Sequence, residues 1–512
     1  MKSWRGVPML VSVLSGLVVA CGPVPQGEVE AVDGVAPVRE SETAVGTVTA
    51  EGLVPLPGPG WDVCEDSAQR VRDINPGPAS SSPDELVAAN GRLFFVATDP
   101  EHGRELWMSQ GPGRPTSLVK DVNPGLGHSV PRALTVMGRW VFFVADDGAH
   151  GVELWRTDGT ARGTELVKDV RPGVAGSLPD KLTVVDGTLY FTANDGAHGR
   201  ELWRTDGTEW GTELAYEFAP GPGSAQFDRL LTWEQDLTLV VYNGTTRATT
   251  LWNVDTRGQV GALFTLNDGV FLELEPAGRQ LFFTVNPGTD ESDLWVTRNT
   301  PDTATWLRHF VGQEPKSLTA MGDAVYFAAG GEGYWGDLGD PRHGSELWTS
   351  DGTVWGTRLV RDINPGAEGA FSPYLDPGFV VVDDRTLYFA ADDGCLGREL
   401  WRSDGTLLGT WMVADLEPGK SGSDPQDLTA DTGWLFFSAT TSGHGSEPWF
   451  SGGRFWNTHS LADIAPGSAS SNPKGFVRAD WNVFFAATDG AGDQELWSVS
   501  FRPVRSCGAR AF

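Results

Sequence analysis

Between Pro179 and Gly221 short apolar runs alternate with turn residues in a way that predicts four β-strands and no helix. Leu182 to Val185 is the first strand and ends at Asp186-Gly187. Thr188 to Ala193 is the second, where Leu189 and Phe191 alternate with Tyr190 and Thr192 at the two-residue period of a strand. Asn194-Asp195-Gly196 breaks it, and Glu201 to Thr205 makes the third. Asp206-Gly207 then turns the chain into a fourth, the counterpart of Glu165 to Val170 one unit earlier. Pro172-Gly173 closes that earlier unit, the proline presetting φ and the glycine supplying the positive φ of a type II turn. Four strands in about 40–50 residues is the size of one propeller blade.

The pattern recurs along the chain. A Leu-Trp or Pro-Trp pair ends at Trp107, Trp155, Trp203, Trp252, Trp295, Trp348, Trp401, Trp449 and Trp497, at intervals of 48, 48, 49, 43, 53, 53, 48 and 48 residues. A blade cannot bury both faces alone, so such an array is either capped or closed on itself. The ends predict closure. Gln69 to Ile74, followed by Asn75-Pro76-Gly77, matches a fourth strand without the three before it, and Glu495-Leu496-Trp497 matches a third strand without a fourth after it. The expected fold is all-β: a β-propeller of nine four-stranded blades whose N-terminal strand completes the last blade and leaves no free sheet edge there. Eight blades is the alternative, if a weak unit near Trp252 or Trp295 is not a blade.

These residues resemble a named bacterial family, the ELWxxDGT-repeat proteins, most clearly at Glu153-Leu154-Trp155-Arg156-Thr157-Asp158-Gly159-Thr160. The same letters recur from Glu201 to Thr208, and with Ser in place of Thr from Glu346 to Thr353 and from Glu399 to Thr406. The resemblance runs from about Val71 to Val499 and thins between Ala215 and Pro315, where the Asp-Gly-Thr half is lost. It implies an exported repeat protein and no defined reaction. The Asp158-Gly159-Thr160 copies are also similar to the Asp-box turns of sialidase-like propellers, at a different spacing, and read as structural turns.

At the N-terminus, Lys2 and Arg5 precede an apolar run from Val7 to Ala20 that is too short to span a bilayer. Residues 1–20 therefore read as a signal peptide. Val18-Val19-Ala20-Cys21 resembles the bacterial lipoprotein signal, which implies that Cys21 is acylated and becomes the new N-terminus. Gly22 after it implies the outer membrane or cell surface. An ordinary signal peptide cleaved nearby is the alternative. Residues 21–60 are rich in Pro, Gly, Val and Glu without periodicity and predict a disordered tether, with an r.m.s. reach of roughly 35 Å. Residues 61–512 form the expected propeller, and the lipid anchor is its one expected membrane contact.

The net charge of −30 argues against a nucleic-acid partner, which needs a concentrated basic surface. Ring closure brings Cys64 and Cys507 together although they lie 443 positions apart, and in an exported chain they are expected to pair. The chain-entropy model values such a link at roughly 5 kcal/mol. Two free thiols is the alternative, and Cys395 reads as unpaired.

Nine Trp residues at one strand position read as wedges between blades rather than as a ligand cage. His102, His150, His198, His343 and His444 share one loop position, but equivalent loops of separate blades are too far apart to share an ion. No metal residue or cofactor is singled out. A Ca²⁺ held by the oxygens of a single loop such as Asp146-Asp147-Gly148 or Asp392-Asp393-Gly394 is left open, with turn chemistry as the reading preferred. No nucleophile elbow, P-loop, HExxH helix or dinucleotide fingerprint falls on a suitable element, so no catalytic residue is named.

Two 53-residue units depart from the repeat by insertion. One inserts Gly330 to Arg342, with Tyr334 and Trp335, and the next inserts Ala367 to Gly378, with Phe371 and Tyr374. Both loop classes emerge on the same propeller face in neighbouring blades, so these four aromatics are the candidate binding patch; neutral surface expansion is the alternative. The expected function is non-enzymatic binding or scaffolding at the cell surface, with a protein or glycan as partner. The rival is an exported polysaccharide hydrolase with its carboxylates on the same face.

Overall fold

A computed structural model of the chain describes residues 61–63, 68–286, 291–311, 313–330 and 344–503. The expected signal peptide, Cys21, the tether, Cys64, Cys507, Tyr334 and Trp335 lie outside the described residues. Nine antiparallel sheets follow one another along the chain as the blades of a propeller. Blades 1 to 8 span 84–120, 132–168, 180–216, 226–267, 270–311, 313–361, 380–414 and 426–460, and blade 9 spans 474–503. The units around Trp252 and Trp295 are complete four-stranded sheets, so the eight-bladed alternative does not hold.

In the unit read from sequence the strands are Asp180–Val185, Thr188–Asn194, Arg200–Thr205 and Glu213–Tyr216. The preceding fourth strand, Glu165–Lys168, is shorter than expected because the next backbone N–H groups turn to the carboxylate of Glu153 instead of to a neighbouring strand. The N-terminal strand ends early for the same reason. Gln69–Arg72 takes the fourth place in blade 9, in the register Gln69↔Ser498 and Arg70↔Trp497, and the Ile74 N–H beyond it donates to Glu495 at 3.3 Å. The third strand of that blade, Gln494–Pro503, runs on past the point where other blades turn, and a further strand, Trp61–Val63, pairs with the extension.

Among the described residues, nine buried clusters lie one between each pair of adjacent blades, blade 9 and blade 1 included. Trp155 of blade 2 packs on Phe94, Val96 and Leu106 of blade 1, and Trp401 of blade 7 on Met321 and Tyr326 of blade 6. Trp107 packs across the closure with Ala479, Phe484 and Leu496. The Trp ring is therefore a set of wedges. A cation from the preceding blade covers several of them: Lys120 lies 5.5 Å from the Trp155 ring centre and donates to the Thr164 carbonyl at 2.9 Å.

Cys395 is a correction. It is disulfide-bonded, not unpaired, and its partner lies outside the described residues.

Candidate binding face

A glutamate near the start of the third strand in seven of the nine blades fixes one face of the ring. Glu153 is wholly buried and accepts hydrogen bonds from the N–H groups of Arg171 (3.2 Å) and Ser177 (2.7 Å) and from the Ser177 hydroxyl. Those donors belong to the crossover into the next blade. Glu399 does the same for Leu416, Glu417 and Ser423, and Glu447 for Ile464, Ala465 and Ser471. Burial pushes the Glu105 carboxyl up to about 7 and that of Glu346 to about 8, against the pull of the donors around them. These perturbed acids are occupied by the fold, so they are not candidates for catalysis. Blades 4 and 5 have Thr250 and Asp293 in place of the glutamate, and their crossovers, from 267 to 270 and from 311 to 313, are too short to need it. Asp293 instead accepts from Trp306 Nε1 at 3.1 Å and pairs with His309 Nδ1 at 2.9 Å.

The loops between second and third strands emerge on this same face. In them Asp147 Oδ1 accepts the N–H groups of Ala149 (2.9 Å) and His150 (2.7 Å), while Oδ2 meets His150 Nδ1 at 2.7 Å. Asp195 and His198 repeat the arrangement. These bonds engage the aspartate oxygens and the histidine Nδ1 in turn closure, and the aspartate raises the pKa of each histidine. Among the described residues one group of carboxylates, Asp73, Asp493 and Glu495, is close enough for a metal ion, but Arg70 already lies in it, 3.0 Å from Asp493 and 2.8 Å from Asp489.

The opposite face carries the turns between third and fourth strands. There Asp158 Oδ1 accepts both the N–H (2.9 Å) and the hydroxyl (2.7 Å) of Thr160. Gly159 has φ +89°, and a Cβ on it would lie about 3 Å from Phe94 and Met108 of the preceding blade. These turns are structural, as read from sequence.

The two inserted loops meet at their bases. Gly344 N–H donates to the Gly366 carbonyl at 2.8 Å, and Ala370 N–H to Ser345 at 2.8 Å. The expected four-residue patch does not form as drawn. Phe371 is 3% exposed and packs edge-on against Phe379 and Phe389, with ring centres 5.4 and 5.7 Å away. It is a core residue because the inserted crossover folds its first half inward. Tyr374 is 92% exposed.

Beside Tyr374 the same crossover walls a cleft of about 710 Å³, bordered by the first strands of blades 5 to 8. Glu273, Ser317, Leu375, Asp376, Arg398 and Asp427 line it. Ser317 Oγ donates to Asp376 Oδ1 at 3.2 Å and Arg398 Nη2 to the Asp376 carbonyl at 2.6 Å, which pins the loop to two blades. Desolvation by the neighbouring strands raises the Asp427 carboxyl, although the residue is exposed and its Oδ2 accepts the Gly475 N–H of blade 9. Sequence reading missed these residues because four separate repeats contribute them; the insertion was the only signal near them.

No family model matches the chain, and no curated protein does. Among solved structures it is similar to puromycin hydrolase, at 15% identity and a TM-score of 0.36 over 70% of this chain and 58% of that one. It is similar to oligogalacturonate lyase in complex with manganese, at 12% identity and a TM-score of 0.38 over 82% and 98% of the two chains. It is also similar to the β-propeller domain of the Trilobed protease from Pyrococcus furiosus, at 10% identity and a TM-score of 0.33 over 65% and 99%. The chain thus spans about 58% of the length of puromycin hydrolase. At these values the likeness carries neither activity nor substrate to this chain.

Proposed function

We propose that the chain is a binding or scaffolding propeller, held at the outer membrane or cell surface by an acylated Cys21, that takes a protein or glycan on its loop-rich face. The observation that carries this reading is the cleft of about 710 Å³ walled by the inserted crossover. Its volume lies in the range of ligand sites, and its Glu273, Asp376, Asp427 and Arg398 offer hydrogen bonds suited to hydroxyls or cationic side chains. The similarity to ELWxxDGT-repeat proteins supports export. An acylated Cys21 has no sulfur left to pair, so in an acylated chain Cys395 joins Cys64 or Cys507; peptide mapping without reduction reads the partner directly.

The test is binding of surface proteins and of a glycan panel to the chain and to a Y374A/L375A variant with an unchanged melting curve. Loss of a partner from the variant alone supports the cleft. Equal capture by both moves the site elsewhere. The raised Asp427 carboxyl is the one observation that favours the hydrolase, since a general acid needs that shift. Reducing-sugar release from matrix polysaccharide, lost in D427N, would establish it; silence across the panel favours binding.

A further inference from the structure

The largest exposed apolar side chains outside the loop-rich face gather on the opposite one. In blades 6, 7 and 8 the turn between third and fourth strands carries the adjacent pairs Val354-Trp355, Leu407-Leu408 and Phe455-Trp456. Trp355 is 89% exposed, Leu408 91% and Trp456 69%. Rigid turns display them: Thr353 Oγ donates to Asp351 at 2.7 Å and accepts from Gly356 N–H at 2.9 Å, and Thr406 does the same with Asp404 and Gly409. At the same place blades 2 and 4 carry the exposed Arg162 and Arg257. Among the described residues, Trp210 of blade 3 is the one such side chain in a turn between third and fourth strands outside the three neighbouring blades. Burying apolar groups of this size is favourable, and a soluble ring has no internal reason to present them in a row.

A second observation says what lies on that side. Trp61 pairs with Pro503, on the extension of the last strand beyond the turn face of blade 9, the neighbour of blade 8. Trp61, where the chain enters the fold, therefore lies at the turn-face end of that strand, on the blade next to the apolar row. On the reading that Cys21 is acylated, the forty residues 21–60 link that point to a membrane.

We propose that the turn face of blades 6 to 8 rests on a phospholipid surface, with Trp355, Leu408 and Trp456 reaching into the headgroup layer. Tryptophan suits that layer because its ring is apolar and its N–H is polar. The loop-rich face then points away from the membrane. A net charge of −30 disfavours attraction to anionic headgroups, so the contact rests on the apolar side chains and is insensitive to salt.

The test uses the chain from residue 22 onward, produced without the signal peptide and so with neither an acyl group nor the apolar run Val7 to Ala20, floated with phosphatidylethanolamine and phosphatidylglycerol vesicles. The unacylated chain is expected to co-float at low and at high salt. The triple variant W355S/L408S/W456S, with an unchanged melting curve, is expected to bind about tenfold more weakly or less. Failure of the unacylated chain to float, or equal flotation of both, overturns the proposal. So does a dimer, seen by sedimentation, that the triple variant abolishes, because the row would then be a pairing surface. The intact mass of the native chain reports acylation separately, so a missing anchor and a missing lipid contact are told apart.

Discussion

Glu153→Ala tests the reading that buried glutamates hold the crossovers. The substitution removes the acceptor for two backbone N–H groups and one hydroxyl in a site without solvent exposure. Hydrogen bonds to a charged group contribute about 1.5–3 kcal/mol each, and a buried donor left without an acceptor adds its desolvation. Water entering the vacated space recovers part of this, so the expected loss is about 3–5 kcal/mol. Because each repeat touches its neighbours alone, the loss should be confined to blades 2 and 3. Hydrogen exchange read by mass spectrometry should show peptides around Arg171 and Ser177 losing protection while those of blade 6 keep it. Glu201 meets Ala225 where Glu153 meets Ser177, so E201A lacks one hydroxyl donor to strand and should be milder. A loss in E153A below about 1 kcal/mol, or one spread evenly around the ring, would refute the reasoning.

Three further outcomes are expected. Arg70 and Asp493 stand where blade 1 has Leu118 and Gly103, so R70L and D493G alone should each destabilise the closure, by about 2–3 kcal/mol for R70L, while the double variant recovers most of it; additive losses in a thermal melt would count against the pairing. Stability should fall as pH rises. The folded state keeps protons on Glu105 and Glu346 that the unfolded chain releases near its ordinary value of 4.5, so this contribution is full below that value and lost through about 7 and about 8. Self-repulsion at a net charge of −30 acts in the same direction, and a melting temperature that climbs across that range would contradict both. F371A should cost about 3–5 kcal/mol in denaturant unfolding, as a buried aromatic, whereas Y374A should leave stability within about 0.5 kcal/mol; similar effects of the two would mean the crossover is packed differently.

The blade count, the strand order and the closure were legible because turn residues and the Leu-Trp pair repeat at a nearly fixed interval. The strand ends after Lys168 and Arg72 were not, because a glutamate in a neighbouring strand diverts the next N–H groups, and sequence spacing does not show that. Blades 4 and 5 read as weak because they lack the Asp-Gly-Thr turn; they lack the glutamate as well, since their short crossovers have nothing for it to hold. Phe371 misled because an aromatic in an insertion looks like a surface residue until its neighbours Phe379 and Phe389 are seen. The cleft was invisible for a simpler reason, since residues from Glu273 to Leu428 line it.

Site-specific photo-crosslinking on native cells, from position 374 on the loop-rich face and from position 408 on the turn face, tests the orientation and the binding face together. A crosslinker at Tyr374 is expected to capture a protein or glycan, and one at Leu408 phospholipid alone. Capture of the same partner from both positions, or from position 408 only, would contradict a propeller that lies turn face down and binds through its loops.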